Sequence, residues 1–220
     1  MSTTVVAIDG PAGAGKSSVA SALANMLGFT HVNTGSLYRA VAWAARKKGV
    51  SIDPVEQSFL DSIKFEFKAG KLLVDGDDPG DALRSSQCAA DASFVAKQAA
   101  VRAFLLPVQR QSAEKRWIVM EGRDIGTVIF PDAAVKIFLT ASAFERARRR
   151  MIQGEVPAGA AIEDVQKEIE ARDLQDSTRA VSPLKAAADA VTVDSSGLTL
   201  EETVETIAAI VRKKRAEAGV

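Results

Sequence analysis

Two hydrophobic periods alternate along the chain. Short apolar runs at Val5–Ile8, Thr30–Val32, Trp117–Met120, Ala134–Leu139 and Ala190–Val193 read as strands buried on both faces, where a parallel sheet loses the in-out alternation of a half-exposed one. Between them the apolar positions recur at helical spacing. Val19, Ala20, Leu23, Ala24 and Leu27 mark one helix, with Gly28 as its stop, and Leu37, Val41, Ala44 and Ala45 mark a second over about 37–48. Residues 86–114 carry an imperfect stripe and read as one long helix with Pro107 threatening a kink. Gly154–Gly159 interrupts a helix that follows the fourth strand, and periodicity resumes through Ile162, Val165 and Ile169. Strand and helix in alternation predict an α/β fold with a five-stranded parallel sheet flanked by helices.

One region breaks the alternation. Lys64–Phe67 and Lys71–Val74 flank Ala69-Gly70 as a hairpin would, and the turn-rich Asp75–Asp81 follows. Residues 59–85 are therefore expected to form a small inserted antiparallel β subdomain within a single domain spanning 1–220. Asp77-Asp78-Pro79-Gly80 superficially matches a GTPase DxxG, but these are ordinary turn residues and no Asn-Lys-x-Asp guanine reader occurs.

The first strand runs into Gly10-Pro11-Ala12-Gly13-Ala14-Gly15-Lys16-Ser17-Ser18. Strand, Gly-x4-Gly-Lys-Ser and helix in this order form a P-loop. The glycines let the backbone turn tightly enough for successive N–H groups to converge on phosphate oxygens, and the helix N-terminus adds its positive end. Lys16 is placed to neutralise β- and γ-phosphates, and the Ser17 hydroxyl to ligate Mg²⁺.

Composition narrows the remainder. The 220 residues are 47% hydrophobic, enough for a sizeable core, and 28 Lys and Arg balance 28 Asp and Glu. A net charge of zero gives no nucleic-acid or membrane signature, so any anion site is local. Cys88, the single cysteine, excludes an intramolecular disulfide and CxxC metal sites, and reads as a small buried apolar residue. His31, the single histidine, reads as a strand-end residue rather than a metal ligand. The first strand begins so near Met1 that no signal peptide is expected, and no apolar run approaches the ~20 residues of a membrane span. A cytoplasmic monomer is expected.

Arginines recur near the loops. Arg39 is expected near a helix N-terminus, where a cation conflicts with the positive helix end unless an anion binds. Ser93 and Arg102 lie on the expected long helix about 2.5 turns apart. Glu121-Gly122-Arg123-Asp124 ends the third strand, where open α/β sheets place ligand chemistry. Arg172, Asp176 and Arg179 fall at i, i+4 and i+7 and are expected on one helix face, suited to a lid that closes over phosphates. Arg146 and Arg149 read as a solvated helix face, and the basic run Arg212–Arg215 as compensation of the C-terminal helix dipole.

Four stretches together carry a resemblance: the P-loop from Asp9, Thr34-Gly35-Ser36-Leu37-Tyr38-Arg39, Glu121–Pro131 with its GRD-x-GT-x-x-FP pattern, and Arg179–Leu184. Together they resemble the bacterial cytidylate kinases, among the P-loop nucleoside monophosphate kinases, over nearly the whole chain. The resemblance implies that fold, with an enlarged acceptor-binding insertion and a helical lid over about 150–180. It further implies ATP with Mg²⁺ as donor and CMP or dCMP as acceptor. By position, Lys16, Arg123, Arg172 and Arg179 would be catalytic, and Arg39 would join those three arginines on the phosphates. Ser36 and Tyr38 would lie beside the acceptor, Ser93, Arg102 and Asp124 would read cytosine, and Asp176 would hold the sugar hydroxyl. Cytosine offers an N4 donor that a carboxylate accepts, and acceptors that Arg102 and Ser93 can satisfy.

The chain departs from the usual pattern in having Glu121 where Asp is common, and Gln175 and Ser177 where relatives carry more arginine. A kinase for UMP, AMP or a polyol acid, and a nucleotide-binding switch, are the competing readings. Acceptor-dependent ATP turnover separates the last from the rest.

Overall fold

In a computed structural model, residues 3–68, 71–113, 117–154, 156–157 and 159–217 are described. In chain order the elements are β1 (Thr3–Asp9), α1 (Lys16–Leu27), β2 (Thr30–Asn33), α2 (Thr34–Lys47), α3 (Gln57–Ser62), β3 (Phe65–Lys68) and β4 (Lys71–Val74). A 3₁₀ turn at Gly80–Arg84 precedes α4 (Ser86–Val95), α5 (Ala99–Gln111) and β5 (Ile118–Gly122). After a π-helical turn at Ile125–Ile129 come β6 (Ala133–Thr140), α6 (Ala143–Ile152), α7 (Ile162–Thr178), β7 (Val191–Asp194) and α8 (Leu200–Glu217). The contacts among these elements divide the chain into two compact units, residues 1–33 with 113–220, and residues 34–112.

The first unit is built on a five-stranded sheet in the order β2-β5-β1-β6-β7, with every pairing parallel. This is the predicted sheet. β1 is central because Val5, Val6, Ala7 and Ile8 have no exposed surface at all, as a strand covered on both faces requires. Val6, Ile8, Val119, Val135, Ile137 and Leu139 of the sheet pack with Val19, Leu23 and Ala24 of α1 and with Val204, Ile207 and Val211 of α8. A smaller cluster of Ala147, Val165 and Ile169 joins α6 to α7.

The second unit has its own core of Leu37, Val41, Phe59, Leu60, Val74, Val95, Val101 and Leu105, among others. β3 and β4 pair antiparallel, Phe65 opposite Val74 and Lys68 opposite Lys71. The Ala69-Gly70 turn expected between them lies outside the described residues.

Three helix expectations need correction. The 86–114 segment is two helices, and Ser93 and Arg102 sit on different ones. The break falls at Ala96-Lys97-Gln98, where Gln98 turns extended (φ −84°, ψ 124°) and spends its side-chain amide on the backbone of Val55 and Ile52. Pro107 sits inside α5 without ending it. Second, α2 begins at Thr34 rather than 37, so Arg39 lies in its second turn and the conflict with the helix dipole is weaker than expected. Third, α7 ends at Thr178, and Arg179 has left the helix (φ −62°, ψ 143°). It therefore does not share a helix face with Arg172 and Asp176.

Candidate active site

β1 delivers the chain to the P-loop through Gly10, whose φ of 154° and position against the next strand admit no side chain. A Cβ there would lie 2.0 Å from the Leu139 carbonyl oxygen. At the far end Gly15 takes a left-handed conformation (φ 84°, ψ 12°) as the N-cap of α1. Having no side chain, it leaves the N–H groups of the first turn of α1 uncapped, the arrangement that receives phosphate.

Lys16 is buried and donates to the Pro11 carbonyl at 2.7 Å. Burial and the nearby Arg123 guanidinium lower its pKa well below the usual lysine value, against the opposing pull of Glu121, Asp9 and Asp176. A cation so poised gains most from an incoming polyphosphate. Ser17 donates to Glu121 Oε2 at 2.9 Å, and Asn33 Nδ2 donates to Ser17 Oγ at 3.4 Å. His31 Nε2 lies 3.0 Å from Glu121 Oε1. His31 is thus a strand-end residue with a definite duty, since it occupies the carboxylate oxygen that Ser17 does not use.

The hydroxyl of Ser17 and the carboxylate of Glu121 are hard oxygen donors side by side, and they fit Mg²⁺, which takes one or two protein oxygens and completes its shell with phosphate and water. Among the described residues no group of three or more His, Cys, Asp and Glu is arranged to hold a metal by itself.

Arg146 and Arg149 are not a solvated face. Arg146 is 5% exposed. It donates to the carbonyls of Ala141 (2.9 Å) and Ala12 (3.0 Å) and pairs with Asp173 of α7 at 2.6 Å. One guanidinium thus ties the backbone of the P-loop to α6 and α7. Arg149 donates to Glu145 and to both oxygens of Ser195. With Arg148 it holds the Glu145 carboxyl down at about 2. The Glu145–Arg149 pair at i, i+4 within α6 is one that spacing allows, whereas Ala12, Asp173 and Ser195 lie on other segments, where spacing could not reveal them.

At the end of β5 four predicted residues meet. Arg123 Nε donates to Asp176 Oδ2 at 2.9 Å, Arg179 lies 3.9 Å from Asp176 and 3.8 Å from Asp124, and all but Arg123 are nearly sealed from solvent. Arg179 also donates to the Ser182 carbonyl at 2.6 Å. Arg172 stands one turn before Asp176 on α7. A phosphate offers a guanidinium group the same acceptor geometry as the carboxylates that hold Arg123 and Arg179 here.

The second unit carries the other candidates. Arg102 is buried, donates to the Ala96 carbonyl at 3.0 Å and stands 5.5 Å from the Tyr38 ring centroid. Ser36 and Ser93 are half-buried, and Arg39 is tied through its carbonyl to the Cys88 thiol at 3.5 Å. Cys88 is buried, as expected, and burial pushes its thiol pKa up.

A buried P-loop lysine, an uncapped helix start and a hydroxyl–carboxylate pair, set on a β2-β5-β1-β6-β7 sheet, define a P-loop phosphotransferase of the small-molecule kinase type. A gluconokinase from Sinorhizobium meliloti shares the fold, with a TM-score of 0.51 at 15% identity, covering 97% of this chain and 95% of that one. The chain belongs to the cytidylate kinase family, whose model matches residues 6–213. It is 46% identical over 215 residues to a cytidylate kinase from Limosilactobacillus fermentum (94% of this chain, 95% of the relative). To one from Desulfitobacterium hafniense it is 44% identical over 216 residues (95% and 93%).

Proposed function

We propose that the chain transfers the γ-phosphoryl group of ATP to CMP or dCMP, giving ADP and CDP or dCDP. The observation that carries this reading is the P-loop with its buried Lys16 in a chain matched by the cytidylate kinase family from residue 6 to 213. The acceptor is a phosphate oxygen, already ionised at neutral pH, so the enzyme needs no general base. Its residues position the reactants and neutralise charge.

Residues 10–18 would cradle the donor phosphates, through every backbone N–H but that of Pro11, which has none, and Lys16 would follow the transferring group. Ser17, with Glu121, would hold Mg²⁺, which supplies charge neutralisation between the donor phosphates. Arg123, Arg172 and Arg179 would exchange carboxylate partners for phosphate, joined by Arg39 and with Ser36 and Tyr38 beside the acceptor. Asp124 would accept from the cytosine amino group, Ser93 and Arg102 would take its ring acceptors, and Asp176 would bind the sugar. Uracil would leave the Asp124 carboxylate facing an oxygen, a mismatch of about 1–3 kcal/mol. Residues 150–180 would act as a lid that excludes water and so suppresses ATP hydrolysis.

We further infer a monomer acting on free nucleotides in the cytoplasm. The balanced charge gives no sign of a nucleic-acid or membrane partner, and no helix among the described residues is long and apolar enough to cross a membrane.

The test is ADP release from Mg·ATP with CMP, dCMP, UMP, AMP and GMP in parallel. Turnover should be strong with CMP or dCMP, and below a tenth of that with UMP. Equal turnover with UMP would keep the kinase and remove the assignment of Asp124 and Arg102. Hydrolysis independent of any acceptor would favour a nucleotide switch.

A further inference from the structure

The π-helical turn at Ile125–Ile129 is unusual in how it begins. Its N-cap is Asp124, a residue type that ordinarily turns its carboxylate onto the first N–H groups of the helix it starts. Here Asp124 makes no such bond, and its carboxylate lies towards Arg179 instead.

The capping is done from another strand. Asp9, the last residue of β1, accepts the Ile125 N–H at 2.7 Å on one oxygen and the Gly126 N–H at 2.8 Å on the other. Asp9 is 4% exposed. The turn is closely packed, since a Cβ on Gly126 would lie 3.4 Å from Asp9 Oδ2 and 3.1 Å from Lys136 Cδ, so that Lys136 would have to give slightly. Lys136 is itself fixed by Asp189 at 2.8 Å. Burial lifts the Asp9 pKa to about 6 despite the two N–H donors, with Asp124 pushing in the same direction and Lys16 against it. A fold that retains a carboxylate at that cost uses it, because two buried N–H groups would otherwise stand unpaired.

We propose that Asp9 is a positioning residue for acceptor recognition: it caps the π-helical turn in place of Asp124, so that the Asp124 carboxylate is spent on substrate and not on backbone. This rests on the reading of Asp124 as the cytosine reader. Without Asp9, Asp124 would fall back to capping its own turn, as Asp does elsewhere.

The test uses the full chain carrying Asp9→Asn, which keeps the size and one acceptor but turns a donor towards an N–H. The KM for CMP should rise about tenfold and the preference for CMP over UMP in kcat/KM should fall at least fivefold. The Kd for ATP without acceptor should stay within twofold, and amide exchange at Ile125 and Gly126 should quicken. A purely structural role would not shift the preference between two acceptors. An unchanged CMP preference, or equal losses of ATP and CMP affinity, would overturn the proposal. If Asp9→Asn does not fold, Gly126→Ala presses on the same contact and should give the same split at smaller size, and equal losses there overturn it too. Wild-type protein without CMP-dependent turnover would remove the functional reading, and this inference with it, before any variant is made.

Discussion

Arg146 shows how a single residue can be misread from spacing and what its environment then demands. In the run Arg148-Arg149-Arg150, with Arg146 two places before it, nothing in the sequence marks one guanidinium as buried. The protein nevertheless seals Arg146 between the Ala12 and Ala141 carbonyls and the Asp173 carboxylate. Breaking a buried pair leaves an uncompensated charge, at about 3–5 kcal/mol. Arg146→Ala should cost stability of that order in urea unfolding, and the KM for ATP should rise more than that for CMP, because the P-loop backbone at Ala12 loses its tie to α6 and α7. Arg148 pairs with Glu145 while half-exposed, so Arg148→Ala should change neither by more than a small factor.

At the scale of the element, α8 illustrates a basic terminus put to a second use. Its last turn carries Lys214 and Arg215, which suits the negative end of the helix dipole. Arg215 also lies 4.8 Å over the Trp117 ring and 5.5 Å over Phe29, and these two rings stack at 5.2 Å between centroids. This ties the C-terminal helix to the start of β5 and the turn before β2. A cation–π contact of this kind contributes about 1 kcal/mol. Arg215→Gln should lower the unfolding free energy by about that amount, whereas Lys214→Gln, exposed in the same last turn, should change it by much less. A melting experiment on both variants distinguishes ring stacking from dipole compensation, which both substitutions would weaken.

For the whole molecule, acid stability should carry the signature of Asp9. Its pKa is about 6 in the folded protein against an ordinary 3.8, so the folded state binds this proton more tightly than the unfolded chain does. The stability it contributes is complete below about pH 4 and is lost as pH rises through 6. A shift of about two units is worth about 3 kcal/mol. The unfolding free energy of wild type relative to Asp9→Asn should therefore fall by up to that amount between pH 4 and pH 8. Denaturant titrations across that range measure it, and a flat difference would mean that Asp9 is ionised throughout.

The five strand runs, the P-loop and the hairpin strands were legible because each is written in contiguous residues: apolar runs for buried strands, glycines beside Lys16 and Ser17 for a phosphate turn. The chemistry of Arg123, Asp124, Asp176 and Arg179 could be anticipated as charged groups at a strand end and on a late helix, though not their meeting within 4 Å. What the tertiary structure alone decided are contacts between residues far apart in the chain: Arg146 on Ala12, His31 on Glu121, Asp9 on the turn after Asp124, Arg215 over Trp117. Local sequence constrains φ, ψ and periodicity, which set elements and motifs. Which polar group a buried charge will find depends on how those elements pack, and only the folded chain brings the partners together.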